Sequence, residues 1–175
     1  MTGRLVVICG LAGAGKTTLA KQLEAADPDL VRFCPDDWLI AFGIDLWDGP
    51  ARAAIEQKQW ELARSLLLLG GRALIEWGLW TRHERDELRE WCRAHDVAVE
   101  LRFLDVPIDT LIERVSARNM EATWGSKPIE PHILRYWHDN FEAPDDEELA
   151  LYDPEGEDQR RRYPAPPEPG PERPH

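Results

Sequence analysis

The sequence predicts an α/β fold, a parallel sheet of four to five strands with helices on both faces, and three observations carry that prediction. Apolar strand-like runs alternate with helical periodicities from residue 4 to residue 141, the pattern of strands joined by helical crossovers. The first run, Leu5-Val6-Val7-Ile8-Cys9, leads straight into Gly10-Leu11-Ala12-Gly13-Ala14-Gly15-Lys16-Thr17, a complete G-x-x-x-x-G-K-[ST] pattern. A chain of 175 residues, 43% hydrophobic and 31% charged, has the size and composition of one globular domain.

Residues 4–9 form the first predicted strand, and a helix follows from Lys16 to Ala26. Between them the glycines free the backbone to turn its N–H groups inward around phosphate oxygens, and the helix points its positive N-terminus at the same charge. In that arrangement Lys16 reaches the β- and γ-phosphates, the Thr17 hydroxyl serves Mg²⁺, and Thr18 completes the loop's reach into the helix. A Rossmann fingerprint fits less well, because the glycines do not follow G-x-G-x-x-G and a lysine follows the last of them.

A second strand is predicted over Leu30-Val31-Arg32-Phe33-Cys34, ended by Pro35, and then a short helix over Asp37 to Phe42. A turn-rich loop, Gly43 to Pro50, precedes a long helix over residues 51–69, with Ile55, Leu62, Leu66 and Leu69 on one face and Gly70-Gly71 as its stop. The third strand is Arg72 to Trp77, and the helix after it, Thr81 to His95, carries Leu88, Trp91, Cys92 and His95 as its stripe. Val97 to Leu104 make the fourth strand. A helix begins at Pro107 with Ile108, Leu111, Ile112 and Val115 inward, a loop covers residues 119–128, and a last helix over residues 130–141 presents Ile133, Leu134, Trp137 and Phe141. The domain so defined is residues 1–152, with a lid over about residues 114–128. From Asp153 on, seven prolines in 23 residues predict a disordered tail.

Charge and cysteine usage narrow the partners. A net charge of −12 runs against gripping a nucleic-acid backbone, which favours a basic surface. The predicted localisation is cytoplasmic: no apolar stretch approaches the length of a membrane span, no signal peptide is read, and the odd number of widely spaced cysteines suits a reducing compartment. Cys9, Cys34 and Cys92 are read as small core residues.

The acids at strand ends are the next chemical clue. Asp36 follows the second strand at the sheet edge that faces a bound nucleotide, where a carboxylate can take the proton of an attacking hydroxyl. Its competing reading is a helix N-cap, and that reading weighs more for Asp37. Glu76, after the third strand, has the place of an acid that holds Mg²⁺, or of a structural carboxylate bonded to loop amides. Arg114 and Arg118 sit one helical turn apart beside the lid, as phosphate contacts or as a solvated helix face. Among eight tryptophans, Trp38, Trp47, Trp77, Trp80 and Trp124 fall near strand ends and loops, where aromatic walls suit a planar or apolar acceptor. Core packing is the alternative for Trp38, Trp77 and Trp80, and the reading for Trp60, Trp91 and Trp137. Arg82 and Arg85 are either acceptor contacts or surface charge.

With these residues in hand, the chain resembles the small P-loop kinases of the AAA_33, zeta-toxin, chloramphenicol-phosphotransferase and polynucleotide-kinase-like group, and most of all short bacterial AAA-family ATP-binding proteins. The segments that carry the resemblance are GLAGAGKTTLA, CPDDWL with GIDLWD, ALIEWGLW, LDVPIDTLIERVSARN and FEAPDDEELALYD, spread over residues 5–153. The resemblance implies a three-layer P-loop NTPase fold and transfer of the γ-phosphoryl group of MgATP to a hydroxyl. It makes Asp36 the base and Arg118 the lid arginine. The chain departs from the group in having no predicted strand after the lid and no basic substrate groove. The leading expectation is therefore a kinase of a small-molecule hydroxyl. Two rivals are a kinase of nucleic-acid or nucleotide 5′-hydroxyls and a non-catalytic ATP-binding regulatory module.

Overall fold

Strand β1 (Arg4–Cys9) lies inside a four-stranded parallel sheet in the order β2-β3-β1-β4, with β2 Leu30–Phe33, β3 Arg72–Ile75 and β4 Ala98–Phe103. The structure is a computed structural model that describes residues 2–120 and 128–154. Pairing is in register from Leu5 to Ala73 and Val99 and from Phe33 to Ile75, so the C-terminal ends of β1, β2 and β3 finish together at one edge.

Period-two alternation in β1 divides the core into two layers. Leu5, Val7 and Cys9 face α3 (Gly49–Leu68) and α4 (Arg82–Ala94), where Ala63, Leu67, Leu88 and Cys92 are buried with them. Val6 and Ile8 face the other way, onto Ala20 and Leu23 of α1 (Lys16–Ala26). Helices thus cover both faces. A third cluster joins Leu11 and Ala14 to Leu111 and Val115 of α5 (Ile108–Met120) and to Leu134 of α6 (Pro131–Asp139).

The remaining helices are α2 (Pro35–Ala41) and α7 (Asp146–Leu149). Four strands satisfy the expected range. Along the outer edge of β4 runs an irregular segment instead of a strand: the Asp153 amide donates to the Val99 carbonyl at 2.8 Å, and the Asp153 carboxylate accepts from the Val99 amide at 2.7 Å. Such cover keeps an edge strand from pairing with another chain.

Several sequence expectations need correction. Helix α2 begins at Pro35, whose fixed φ suits the first helical position, so Asp36 and Asp37 lie inside its first turn and Cys34 is the cap residue. The inward face of α3 is Gln59, Ala63 and Leu67, whereas Leu62 and Leu69 are exposed. A polar residue on the buried face concealed that stripe: the Trp77 indole N–H donates to the Gln59 side-chain oxygen at 3.1 Å, while the Gln59 amide nitrogen is buried without a hydrogen-bond partner among the described residues. Arg85 is neither surface charge nor an acceptor contact. It is fully buried and makes a two-pronged pair with Glu148 of α7, at 2.6 and 2.9 Å. The lid and tail expectations fall largely on residues 121–127 and 155–175, Trp124 included, and lie outside the described residues.

Candidate functional site

The loop after β1 adopts the conformation its glycines permit. Gly10, Gly13 and Gly15 have φ of +148°, +86° and +102°, values that side-chain-bearing residues avoid. A β-carbon at Gly13 would meet Val115 Cγ2 at 2.9 Å, so α5 packs directly against the loop. At Gly15 it would meet nothing within 4 Å, which leaves open space over the start of α1. No side chain caps α1, and its first turn holds no acid. Its unpaired N–H groups and positive dipole end therefore face that space.

Lys16 folds back over this loop, donating to the carbonyl oxygens of Gly10 at 2.8 Å and Leu11 at 3.2 Å. Burial holds its ammonium below the usual lysine range, partly offset by the negative charges of Glu76 and Asp36 and reinforced by Arg118. An anion brought to the loop would relieve that penalty.

The open space is a cavity of about 750 Å³. Its floor is the loop, Gly10 to Gly13 and Gly15 to Thr18; Ala14 is buried behind it. Asp36 lines it from α2 and Glu76 from the end of β3, while Arg114 and Arg118 line it from α5, where Arg114 also donates to the Gly13 carbonyl at 3.3 Å. Thus Lys16, Thr17, Asp36, Glu76, Arg114 and Arg118, drawn from four separate elements, share one space.

Four predicted contacts lie apart from it. Asp37 is exposed on the outer side of α2 and pairs with Arg32, Trp38 sits edge-on to Phe42, and Trp77 is buried in the core against Gln59. Arg82 starts α4, its side chain 3.6 Å from Asp86 and its amide donating to Glu142. Trp80 does line the cavity, joined by Trp47 and by Trp137, which helical spacing assigned to the core. Trp47 and Trp80 flank Trp137 at centroid distances of 5.9 and 5.6 Å, forming one aromatic wall. Trp60 and Trp91 pack as expected, 5.1 Å apart beside the core.

Two arginines organise the acids and were not foreseen. Arg32, in the middle of β2, pairs with Glu76, Asp37 and Glu24. Its signal was a lone charge inside the apolar run Leu30 to Cys34. Arg52, near the start of α3, donates to Asp36 Oδ1 at 2.5 Å and to the Leu46 carbonyl at 3.2 Å. Glu56, one turn later, also lines the cavity, and burial raises its carboxyl above the usual range.

Among the described residues no group of three or more His, Cys, Asp or Glu is gathered for a metal. A Mg²⁺ ion carried by phosphates needs only one or two protein ligands, and Thr17 and Glu76 both reach this cavity. The cysteines are buried and stay protonated, with Cys9 pushed up to about 11 and Cys34 and Cys92 to about 12 by burial. No described helix is long and apolar enough to cross a membrane.

The AAA_33 family, described as an AAA domain, matches residues 5–144. Among curated proteins none matches. Solved structures resemble the fold at low identity. A chain of the Pnkp1/Rnl/Hen1 RNA repair complex is 17% identical with a TM-score of 0.66 over 81% of this chain. A Chloroflexus aurantiacus protein, provisionally designated a kinase, is 18% identical with a TM-score of 0.67 over 83% of both chains. The Mycobacterium tuberculosis APS kinase CysC, solved with AMPPNP and APS, is 17% identical with a TM-score of 0.55 over 83% of this chain and 85% of its own. The match spans only 47% of the length of that RNA repair chain. These likenesses show that the sheet and its helices share the overall fold of those proteins.

Proposed function

The chain belongs to the AAA_33 family of AAA domains, and from that premise we propose that it is an ATP-dependent phosphotransferase acting on the hydroxyl of a small molecule. The observation that carries the reading is the single cavity lined together by the glycine loop, Asp36, Glu76, Arg114 and Arg118. In this reading the loop N–H groups and Lys16 hold the triphosphate, and Thr17 and Glu76 hold its Mg²⁺. When bound there, ATP would supply the γ-phosphoryl group and its Mg²⁺ would neutralise charge on the phosphate oxygens.

The chain's own residues do the rest. Asp36 receives the proton of the acceptor hydroxyl, and the acidic strand edge keeps that base beside the phosphate site. Arg114 and Arg118 lie where charge spreads over the transferring oxygens. The aromatic wall of Trp47, Trp80 and Trp137 excludes water and offers an apolar face to the acceptor. ATP as donor and a small molecule as acceptor are supported by the motif, by the kinase fold, and by the chain's net charge of −12.

Incubation with γ-labelled ATP and a panel of alcohols, sugars, nucleosides and antibiotics tests the proposal. Label passes to at least one small hydroxyl compound, Asp36→Asn lowers that transfer by about 10²- to 10⁴-fold, and nucleotide still binds the variant. Absence of transfer to every compound, with ATP hydrolysis intact in Asp36→Asn, overturns it.

A further inference from the structure

One guanidinium joins the proposed base to the acceptor wall. Arg52 on α3 holds Asp36 Oδ1 at 2.5 Å with the same Nη2 that reaches the Leu46 carbonyl at 3.2 Å. Leu46 precedes Trp47, whose ring lies 5.9 Å from that of Trp137 on α6. A path of direct contacts therefore runs from the wall, through residues 46–47 and Arg52, to Asp36, and Leu46, Trp47, Arg52 and Asp36 all line the cavity.

The chemistry of the pair points to restraint. The lone pair of Asp36 Oδ1 that accepts the charge-assisted hydrogen bond from Arg52 cannot at the same moment take a proton, and the guanidinium stands where an attacking hydroxyl would approach that oxygen. The pair is also exchangeable. Its side chains are 31% and 32% exposed, whereas Arg85 and Glu148, which tie α7 to the core, are 0% and 2% exposed. Water and ligand can reach one pair and not the other. Glu56, a turn further along α3 at 3.9 Å, gives the guanidinium a second carboxylate to turn to when it leaves Asp36.

We infer that Arg52 is a gate on the base: with the acceptor site empty it occupies Asp36, and an acceptor seated against Trp47 shifts the Leu46 segment and draws Arg52 away. The gate rests on the phosphotransferase reading above and gives it a regulatory feature, protection of ATP from water. In the step suppressed, a water oxygen bonds to the γ-phosphorus and its proton passes to Asp36. The bond from that phosphorus to the bridging oxygen breaks with its electron pair leaving on ADP. Arg52 is a positioning residue in this scheme, since it acts through Asp36.

Hydrolysis of ATP without any acceptor, measured together with nucleotide affinity and Tm, tests the gate. Arg52→Gln raises the hydrolysis rate by about tenfold, Arg52→Lys raises it less because a point charge still reaches Asp36, and adding Asp36→Asn to Arg52→Gln removes the gain. A rate in Arg52→Gln that is unchanged or lower, with nucleotide bound as in the parent, overturns the gate and leaves the phosphotransferase reading standing. A lowered Tm with a parallel fall in rate assigns Arg52 a purely structural tie between α2 and α3, and overturns the gate as well. If the parent protein binds no nucleotide and Lys16→Ala changes nothing, the phosphotransferase reading itself fails.

Discussion

A methyl group at Gly13 would press on Val115 Cγ2 at 2.9 Å and on the Leu111 carbonyl at 3.3 Å, over a backbone with φ of +86°. Gly13→Ala is therefore expected to destabilise the fold by about 1–3 kcal/mol through overpacking and strain, and to weaken nucleotide binding; thermal melts with and without ATP check both. Lys16 makes a prediction with a sign. Burial lowers its pKa below the 10.5 of an ordinary lysine, so between the two values the unfolded chain holds more protons than the folded one. Stability from this group rises with pH across that window. Bound phosphate favours the charged ammonium and reverses the shift, so binding in alkaline solution takes up a proton. Calorimetric titrations in two buffers of different ionisation enthalpy should detect that uptake, and its absence would remove Lys16 from the phosphate contacts.

Helix α7 holds the C-terminal segment through charges that water cannot reach. The Glu148 carboxylate and Arg85 guanidinium are buried together, and the Tyr152 hydroxyl donates to the Arg85 carbonyl at 3.2 Å. Removing one partner strands the other charge, so Glu148→Gln should cost about 3–5 kcal/mol in denaturant titration, while Arg85→Met with Glu148→Leu should cost far less. Neither the helix nor the pair was legible in the sequence. Asp145 to Glu148 offer too short a stretch for a helical periodicity, and Arg85 became buried only because a segment 63 residues away closes over it. Elements with strong local patterns were plain: β1, the loop and α1 were read with their boundaries, because the apolar run, the three glycines and Lys16 are all local signals. Arg52 was invisible for the opposite reason. Its contact with Asp36, 16 residues away, arises from how α2 and α3 pack, and no spacing within either helix encodes it. Trp137 belonged to an apolar stripe and still faces a cavity, since periodicity identifies a buried face without saying whether protein or ligand covers it.

For the molecule as a whole, charge and architecture bear on the acceptor. The parallel sheet brings the ends of β1, β2 and β3 to one edge, and the loop, Asp36 and Glu76 meet there because each follows one of those strands. This convergence was legible from the alternation of strands and helices; the order β2-β3-β1-β4 was not, as it depends on long-range pairing. A net charge of −12 opposes long-range attraction of polynucleotides. The protein should therefore show no salt-sensitive binding of single-stranded oligonucleotides at low ionic strength in an anisotropy titration. Tight binding that falls steeply with salt would favour a nucleic-acid acceptor. The central claim is that the glycine loop and Asp36 serve one reacting phosphate, and a crystal structure with Mg²⁺ and a non-hydrolysable ATP analogue tests it most directly. The account predicts the β- and γ-phosphates within the Gly10 to Thr18 loop, Lys16 on them, and the γ-phosphate facing the Asp36 carboxylate across space for a hydroxyl. A triphosphate bound outside that loop, or one whose γ-phosphate points away from Asp36, would contradict it.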